Sequence, residues 1–282
     1  MYTLGELKIE LSEVISILKE RKVQINPNCR IKILERFLKD EIERIDKGIG
    51  YKRKYDFNVI EASKDIIRIV QTKSLLKLDE YWTVREIKDW NQIVKGKLST
   101  SLEKNSDVNG RGEDSLSRDF IFEKWVWSKL LSKSEVEFCE GVNDINFRFM
   151  NTCIEVECKR PKKLSALGRN IEKAIEQIKG DNGLVIVELD CSIFDRNFGQ
   201  IVEHYLQGEM TVDLEFNNFK KKFEMPKVKN KNIFGILFCL NHTFEVSNGG
   251  VGTIDRSWYK FYPNNNMKLG IPLSDVLYDI IN

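Results

Sequence analysis

Two runs constrain this chain most: L-V-I-V-E-L at 184–189 and I-F-G-I-L-F-C-L at 233–240. Neither alternates apolar with polar residues, so neither can leave one face in water. Both are short for a helix and rich in branched or aromatic side chains that suit a pleated surface. Runs of this kind are strands covered on both faces, as where helices flank a sheet containing parallel strands. The chain therefore predicts an α/β domain whose helices come from the segments around these two strands.

The stretch before them carries the chemistry. Residues 143–163 read N-D-I-N-F-R-F-M-N-T-C-I-E-V-E-C-K-R-P-K-K. Ile145 to Met150 and Cys153 to Lys159 read as two strands, paired as a hairpin around Asn151-Thr152. Strand side chains alternate, so Glu157 and Lys159 project to one side about 7 Å apart. Asp144 opens the preceding strand, which brings two carboxylates and an amine to one end of a sheet. Hard cations take oxygen ligands and keep positions open for phosphate and water, so the pattern points to a metal-assisted phosphodiesterase centre.

The motif is short, and its context selects it. Acid-x-lysine occurs four times: Glu6-Leu7-Lys8, Glu20-Arg21-Lys22, Glu86-Ile87-Lys88 and Glu157-Cys158-Lys159. The first three fall in helical patterns, where positions i and i+2 do not share a face. Only the fourth lies in a strand. Without the metal, the bland reading of the trio is a strand-end salt bridge between Glu157 and Lys159 beside an unrelated Asp144.

Around this centre the periodicity is helical at the N-terminus. Leu4, Leu7, Leu11, Val14, Ile15 and Leu18 recur at helical spacing over 3–22, and Asn26-Pro27-Asn28 breaks the pattern. Further helices are expected over 30–47, 59–76 and 82–94, with Gly48 and Gly50 ending the second. Residues 1–97 thus read as an all-helical module for target binding, partner contact or dimerisation. Lys52-Arg53-Lys54 between Tyr51 and Tyr55 is a candidate phosphate or base contact, against the plainer reading of a solvated turn. Residues 98–115 form the candidate linker, and the catalytic domain is expected over 116–282.

That domain opens with a helix capped by Ser115 or Ser117, with Phe122, Val126 and Leu130 as an apolar stripe. Glu123 lies on a neighbouring stripe; taken alone it reads as a surface charge, the alternative being an acid supplied to the site. A short strand is expected over 135–139. After Arg160-Pro161-Lys162-Lys163, a helix over 165–179 aligns Arg169, Lys173 and Gln177 at four-residue intervals. That face either contacts phosphates or is simply solvated. Beyond 189 the pattern predicts a helix over 197–207, a lysine-rich connector or DNA-facing loop over 217–232, an edge strand over 258–262 and a closing helix over 274–281.

In this order the chain resembles the PD-(D/E)XK nuclease superfamily, over about Ser117 to Leu240. The resemblance implies a restriction-endonuclease-like core, a central mixed sheet flanked by helices, that hydrolyses nucleic-acid phosphodiesters with Mg²⁺ or Mn²⁺. Asp144 matches the family aspartate, with Asn143 standing where proline is usual. Glu157 and Lys159 match the acid-x-lysine element, Glu123 the acid from the first helix, and Gln177 a glutamine that some branches carry. By this resemblance Asp144, Glu157 and Glu123 would bind the metal with the Cys158 carbonyl, Lys159 would act on water or the phosphorane, and Arg160 and Lys173 would hold phosphates. DNA is the expected partner, in a restriction or phage-defence setting. A catalytically inactive nucleic-acid-binding or assembly protein is the alternative.

The rest of the sequence sets limits. The net charge of +2 gives no global signal for nucleic acid, so basic surface must be local. Residues 1–100 hold 21 basic against 16 acidic side chains, and the remainder 24 against 27. Six cysteines include no C-x-x-C pair and only His204 and His242 accompany them, which argues against a zinc site. Cysteines within apolar runs are expected as buried reduced thiols. The first residues lack a signal peptide's apolar core and no run reaches membrane-span length, so a cytoplasmic protein with no membrane partner is expected.

Overall fold

A computed structural model describes residues 3–48, 59–95, 113–180, 182–189, 193, 201–226, 233–246, 250–262 and 273–277. The chain forms two compact units, Met1–Ser128 and Lys129–Asn282. The cluster at 51–55 lies outside the described residues, as does most of the 98–115 segment.

The regular elements among the described residues of the first unit are all helices. Helix α1 (Leu4–Glu20) starts on a capping box: Glu6 N–H donates to Thr3 Oγ1 at 3.2 Å, and the Glu6 carboxylate accepts the Thr3 N–H at 2.7 Å. Its buried Leu7, Leu11, Val14 and Leu18 face α2 (Arg30–Asp46) and α3 (Val59–Gln71). The helix expected over 59–76 is interrupted at Thr72, after which α4 (Lys73–Leu76) adds one turn. Helix α5 (Val84–Lys95) and α6 (Glu113–Leu131) follow. Helix α6 begins upstream of the expected cap, so Ser115 and Ser117 lie inside it. The Ser117 hydroxyl instead donates to the Gln92 carbonyl at 3.0 Å.

The second unit is α/β. Its described strands, β1 (Val136–Phe138), β2 (Ile145–Phe149), β3 (Thr152–Lys159), β4 (Gly183–Glu188), β5 (Ile201–Val202), β6 (Ile233–Val246) and β7 (Gly250–Phe261), form a seven-stranded mixed sheet in the order β1-β2-β3-β4-β6-β5, with β7 on the other side of β6. Strands β1 (Val136–Phe138), β2 (Ile145–Phe149) and β3 (Thr152–Lys159) form an antiparallel meander. Phe149 pairs with Thr152, so the turn residues are Met150 and Asn151, one position before the expected pair. Both have positive φ, +47° and +63°, the left-handed backbone of a tight type I′ hairpin. Strand β4 (Gly183–Glu188), buried along its length as its sequence requires, runs parallel to β3.

Three expectations beyond β4 are corrected. Residues 201–202 form β5 and Tyr205–Lys222 form helix α8, where a helix over 197–207 and a connector from 217 were expected. The reason is periodicity that the lysines conceal: Val212, Phe216 and Phe219 recur on one buried face. Lys220 to Lys222 are therefore the last helical turn, and the Lys220 ammonium lies 4.4 Å over the Phe216 ring. Strand β6 (Ile233–Val246) extends past 240, and its antiparallel partner β7 (Gly250–Phe261) is a long edge strand, not a short one over 258–262. Residues 273–277 are helical, within the closing helix expected over 274–281.

One core holds the sheet. Val185 and Val187 of β4 and Ile236 and Phe238 of β6 pack with Ile171 and Ile175 of α7 (Leu167–Gln177) and Phe216 and Phe219 of α8. Burial of aliphatic and aromatic side chains at ~25 cal/mol per Å² makes this face the rigid base for β3. Cys29, Cys158 and Cys239 are buried reduced thiols, whereas Cys139 and Cys153 form a disulfide. Cys139 leaves β1 and closes on the start of β3, a pairing no sequence spacing announces. Cys191 lies outside the described residues.

Candidate active site

The register of the hairpin builds the site. Ile145 pairs with Val156, so Asp144, one residue before β2, arrives opposite Glu157. In the parallel pairing on the other side of β3, Glu157 aligns with Val185 and Lys159 with Val187. Glu157 and Lys159 thus share the sheet face whose valines pack into the core under α7 and α8.

The three side chains meet. The Lys159 ammonium donates to Glu157 Oε2 at 2.9 Å and stands 3.9 Å from Asp144 Oδ2. The same Asp144 oxygen accepts the Cys158 backbone N–H at 2.9 Å, which locks the aspartate to β3. Glu157 is only 4% exposed, and its Oε1 accepts a hydrogen bond from Asn143 Nδ2 at 3.1 Å.

Electrostatics set the protonation states. Burial, then the charge of Asp144, raises the Glu157 carboxyl above the ordinary 4.5, against the opposing pull of Lys159 and Asn143. Burial lowers the Lys159 amine, but Asp144 and Glu157 together outweigh it, and its net shift is upward from 10.5. Lys159 is therefore an ammonium at neutral pH and cannot serve as a resting general base. The site sets two carboxyl groups against one ammonium.

The other predicted residues have surroundings of their own. Arg160 forms an ion pair with Glu188 at the end of β4; their side chains are 11% and 2% exposed. Arg169, Lys173 and Gln177 lie on the exposed side of α7, opposite buried Leu167, Ile171 and Ala174, as their four-residue spacing requires. Glu123 belongs to α6 of the first unit and is 9% exposed, so the surface-charge reading fails for it. Its charge helps raise the pKa of the neighbouring Lys124, whose ammonium is buried between Glu86 at 2.6 Å and Asp89 at 3.0 Å.

Two residues escape the sequence reading. Asn143 registers there only as a substitute for proline, yet it is a buried donor to Glu157. Glu155 shares the alternation of Glu157 and Lys159, the one signal that could have flagged it. Its carboxylate accepts the N–H groups of Lys179 and Gly180 at 3.1 and 3.0 Å and so ties the chain after α7 to β3.

Asp144, Glu157 and the Cys158 carbonyl match the donor type of Mg²⁺ or Mn²⁺, which bind through one or two carboxylates and keep the remaining positions for water and phosphate. Among the described residues no group of three or more His, Cys, Asp or Glu gathers as a metal cluster, and no helix is long and apolar enough to cross a membrane. No protein-family model, curated protein or solved structure matches the chain.

Proposed function

We propose that the second unit is a metal-dependent nuclease that hydrolyses phosphodiester bonds, with DNA as its substrate, on a restriction-endonuclease-like core. The observation that carries this reading is the convergence of Asp144, Glu157 and Lys159 within hydrogen-bond or ion-pair reach. The meander β1-β2-β3 followed by α7 and parallel β4 supports it as well.

Asp144 and Glu157 would hold Mg²⁺ or Mn²⁺ with the Cys158 carbonyl, and the bound cation would supply Lewis acidity and a more acidic water. Lys159, fixed as an ammonium by the two carboxylates, would stabilise the negative charge that develops on the phosphoryl oxygens. Its position on a strand bound on both sides keeps that charge preorganised. Arg169 and Lys173 on the exposed side of α7, with Lys162 and Lys163 beyond β3, offer phosphate contacts. Arg160 is assigned to Glu188 rather than to phosphate. The helical first unit would serve target binding, partner contact or dimerisation.

The second reading is a nucleic-acid-binding or assembly protein that keeps this core without catalysis. Incubation of the purified protein with plasmid and single-stranded DNA in Mg²⁺, Mn²⁺ or EDTA separates the two. Cleavage in metal, none in EDTA, and a loss of ~100-fold or more in Lys159→Ala are expected, the scale of removing one preorganised charge-stabilising group. Cleavage that persists in Lys159→Ala and Asp144→Ala would refute the site, and no cleavage in any condition would favour the second reading.

A further inference from the structure

We propose that Asn143 is a positioning residue of this site, holding the Glu157 carboxylate in the orientation from which it binds a divalent cation. The inference rests on the metal-site reading and adds a residue that acts on the carboxylate through a hydrogen bond. Asn143 is 4% exposed, and its Nδ2 donates to Glu157 Oε1 at 3.1 Å. The other oxygen, Oε2, accepts from Lys159 Nζ at 2.9 Å. Each carboxylate oxygen has its own donor, so the plane of the group is fixed by two bonds rather than left to rotate about one. Each oxygen offers two lone-pair directions, so a donor on each still leaves acceptor capacity for a cation.

Asn143 is itself held. Its backbone carbonyl accepts from Asn146 Nδ2 at 3.3 Å, and Asn146 is a buried residue of β2. The chain before it closes tightly on that side chain: a Cβ at Gly141 would lie 2.2 Å from Asn146 Cγ. Glycine is what permits the approach. At its start, the segment 139–143 is tied to β3 by the Cys139–Cys153 disulfide. A segment fastened at both ends and pressed on a buried asparagine delivers one amide to one carboxylate, the arrangement by which outer residues orient a metal ligand.

The test is Mn²⁺ affinity of the full chain by calorimetry, with folding checked by circular dichroism and thermal unfolding. Asn143→Ala is expected to bind Mn²⁺ ~10–100-fold more weakly than wild type, the usual cost of losing an orienting partner. In the Mg²⁺-minus-apo infrared difference spectrum, the carboxylate bands abolished by Glu157→Gln are expected to shift in Asn143→Ala, a change that a purely structural role would not produce. Unchanged affinity and bands in folded Asn143→Ala would overturn the proposal and leave the metal site standing. Wild-type binding no stronger than that of Asp144→Ala or Glu157→Gln would overturn both. If Asn143→Ala does not fold, Asn146→Ala decides: it removes the support and is expected to weaken Mn²⁺ binding severalfold, and unchanged binding would refute the relay.

Discussion

Arg160 offers the sharpest test of the structure against its sequence. Read as the first cation after the acid-x-lysine element, it belongs at a phosphate, and Arg160→Ala should then weaken substrate binding while leaving stability alone. The structure pairs it with Glu188, whose side chain is 2% exposed, against 11% for that of Arg160. Removing one partner of a buried ion pair leaves an uncompensated charge and costs ~3–5 kcal/mol. Arg160 is the less buried member, and both residues make further interactions. The lower end, ~3 kcal/mol, is therefore the expected loss for Arg160→Ala. In a unit of this size each kcal/mol moves the midpoint by ~2–4 °C, so thermal unfolding should fall by ~6–12 °C. Urea unfolding followed by circular dichroism gives the free energy directly. A double variant, Arg160→Met with Glu188→Met, removes both charges and keeps apolar volume, so it should recover most of the loss. A change below ~0.5 kcal/mol in Arg160→Ala, the level of an unremarkable surface substitution, would refute the assignment and return Arg160 to the phosphate.

Two further outcomes follow from particular residues. Met150 occupies the first left-handed position of the hairpin turn, with φ +47°, where a side chain with a Cβ is disfavoured by ~1–2 kcal/mol. Met150→Gly should therefore stabilise the second unit by ~0.5–1 kcal/mol in urea unfolding, and a loss of stability would show that the Met150 side chain matters more than its backbone. Glu157 binds its proton more tightly in the folded chain than in the unfolded one, because of burial and then Asp144. Its ionisation therefore opposes folding, and that penalty grows as pH rises from about 4.5 through the raised folded value. In EDTA, the difference in stability between Glu157→Gln and wild type should shift in favour of the variant as pH rises to neutrality. A difference that does not change with pH would contradict the shift.

The elements that are legible in the sequence are those set by local pattern. The buried runs at 184–189 and 233–240 carry the signature of strands covered on both faces, and β4 and β6 occupy them. The alternation that puts Glu157 and Lys159 on one side is a property of any strand, and the hairpin spacing brought Asp144 to them. Helix α8 was legible in principle, since Val212, Phe216 and Phe219 keep the helical period, but three consecutive lysines imitate a solvated connector.

What only the tertiary structure decided is which group each polar side chain meets. Asn143 reads as a missing proline until its amide is found on Glu157. Arg160 and Lys159 are neighbours in sequence, yet one pairs with Glu188 of β4 and the other with Glu157 of its own strand. Cys139 and Cys153 are separated by 14 positions with no motif between them, and Glu123 looks like a surface charge until its burial is measured. The physical reason is one of range. Period and alternation are fixed by backbone geometry over a few residues, so they are written in the sequence. A hydrogen bond or ion pair depends on a partner that arrives from elsewhere in the chain, and on a register that folding alone supplies.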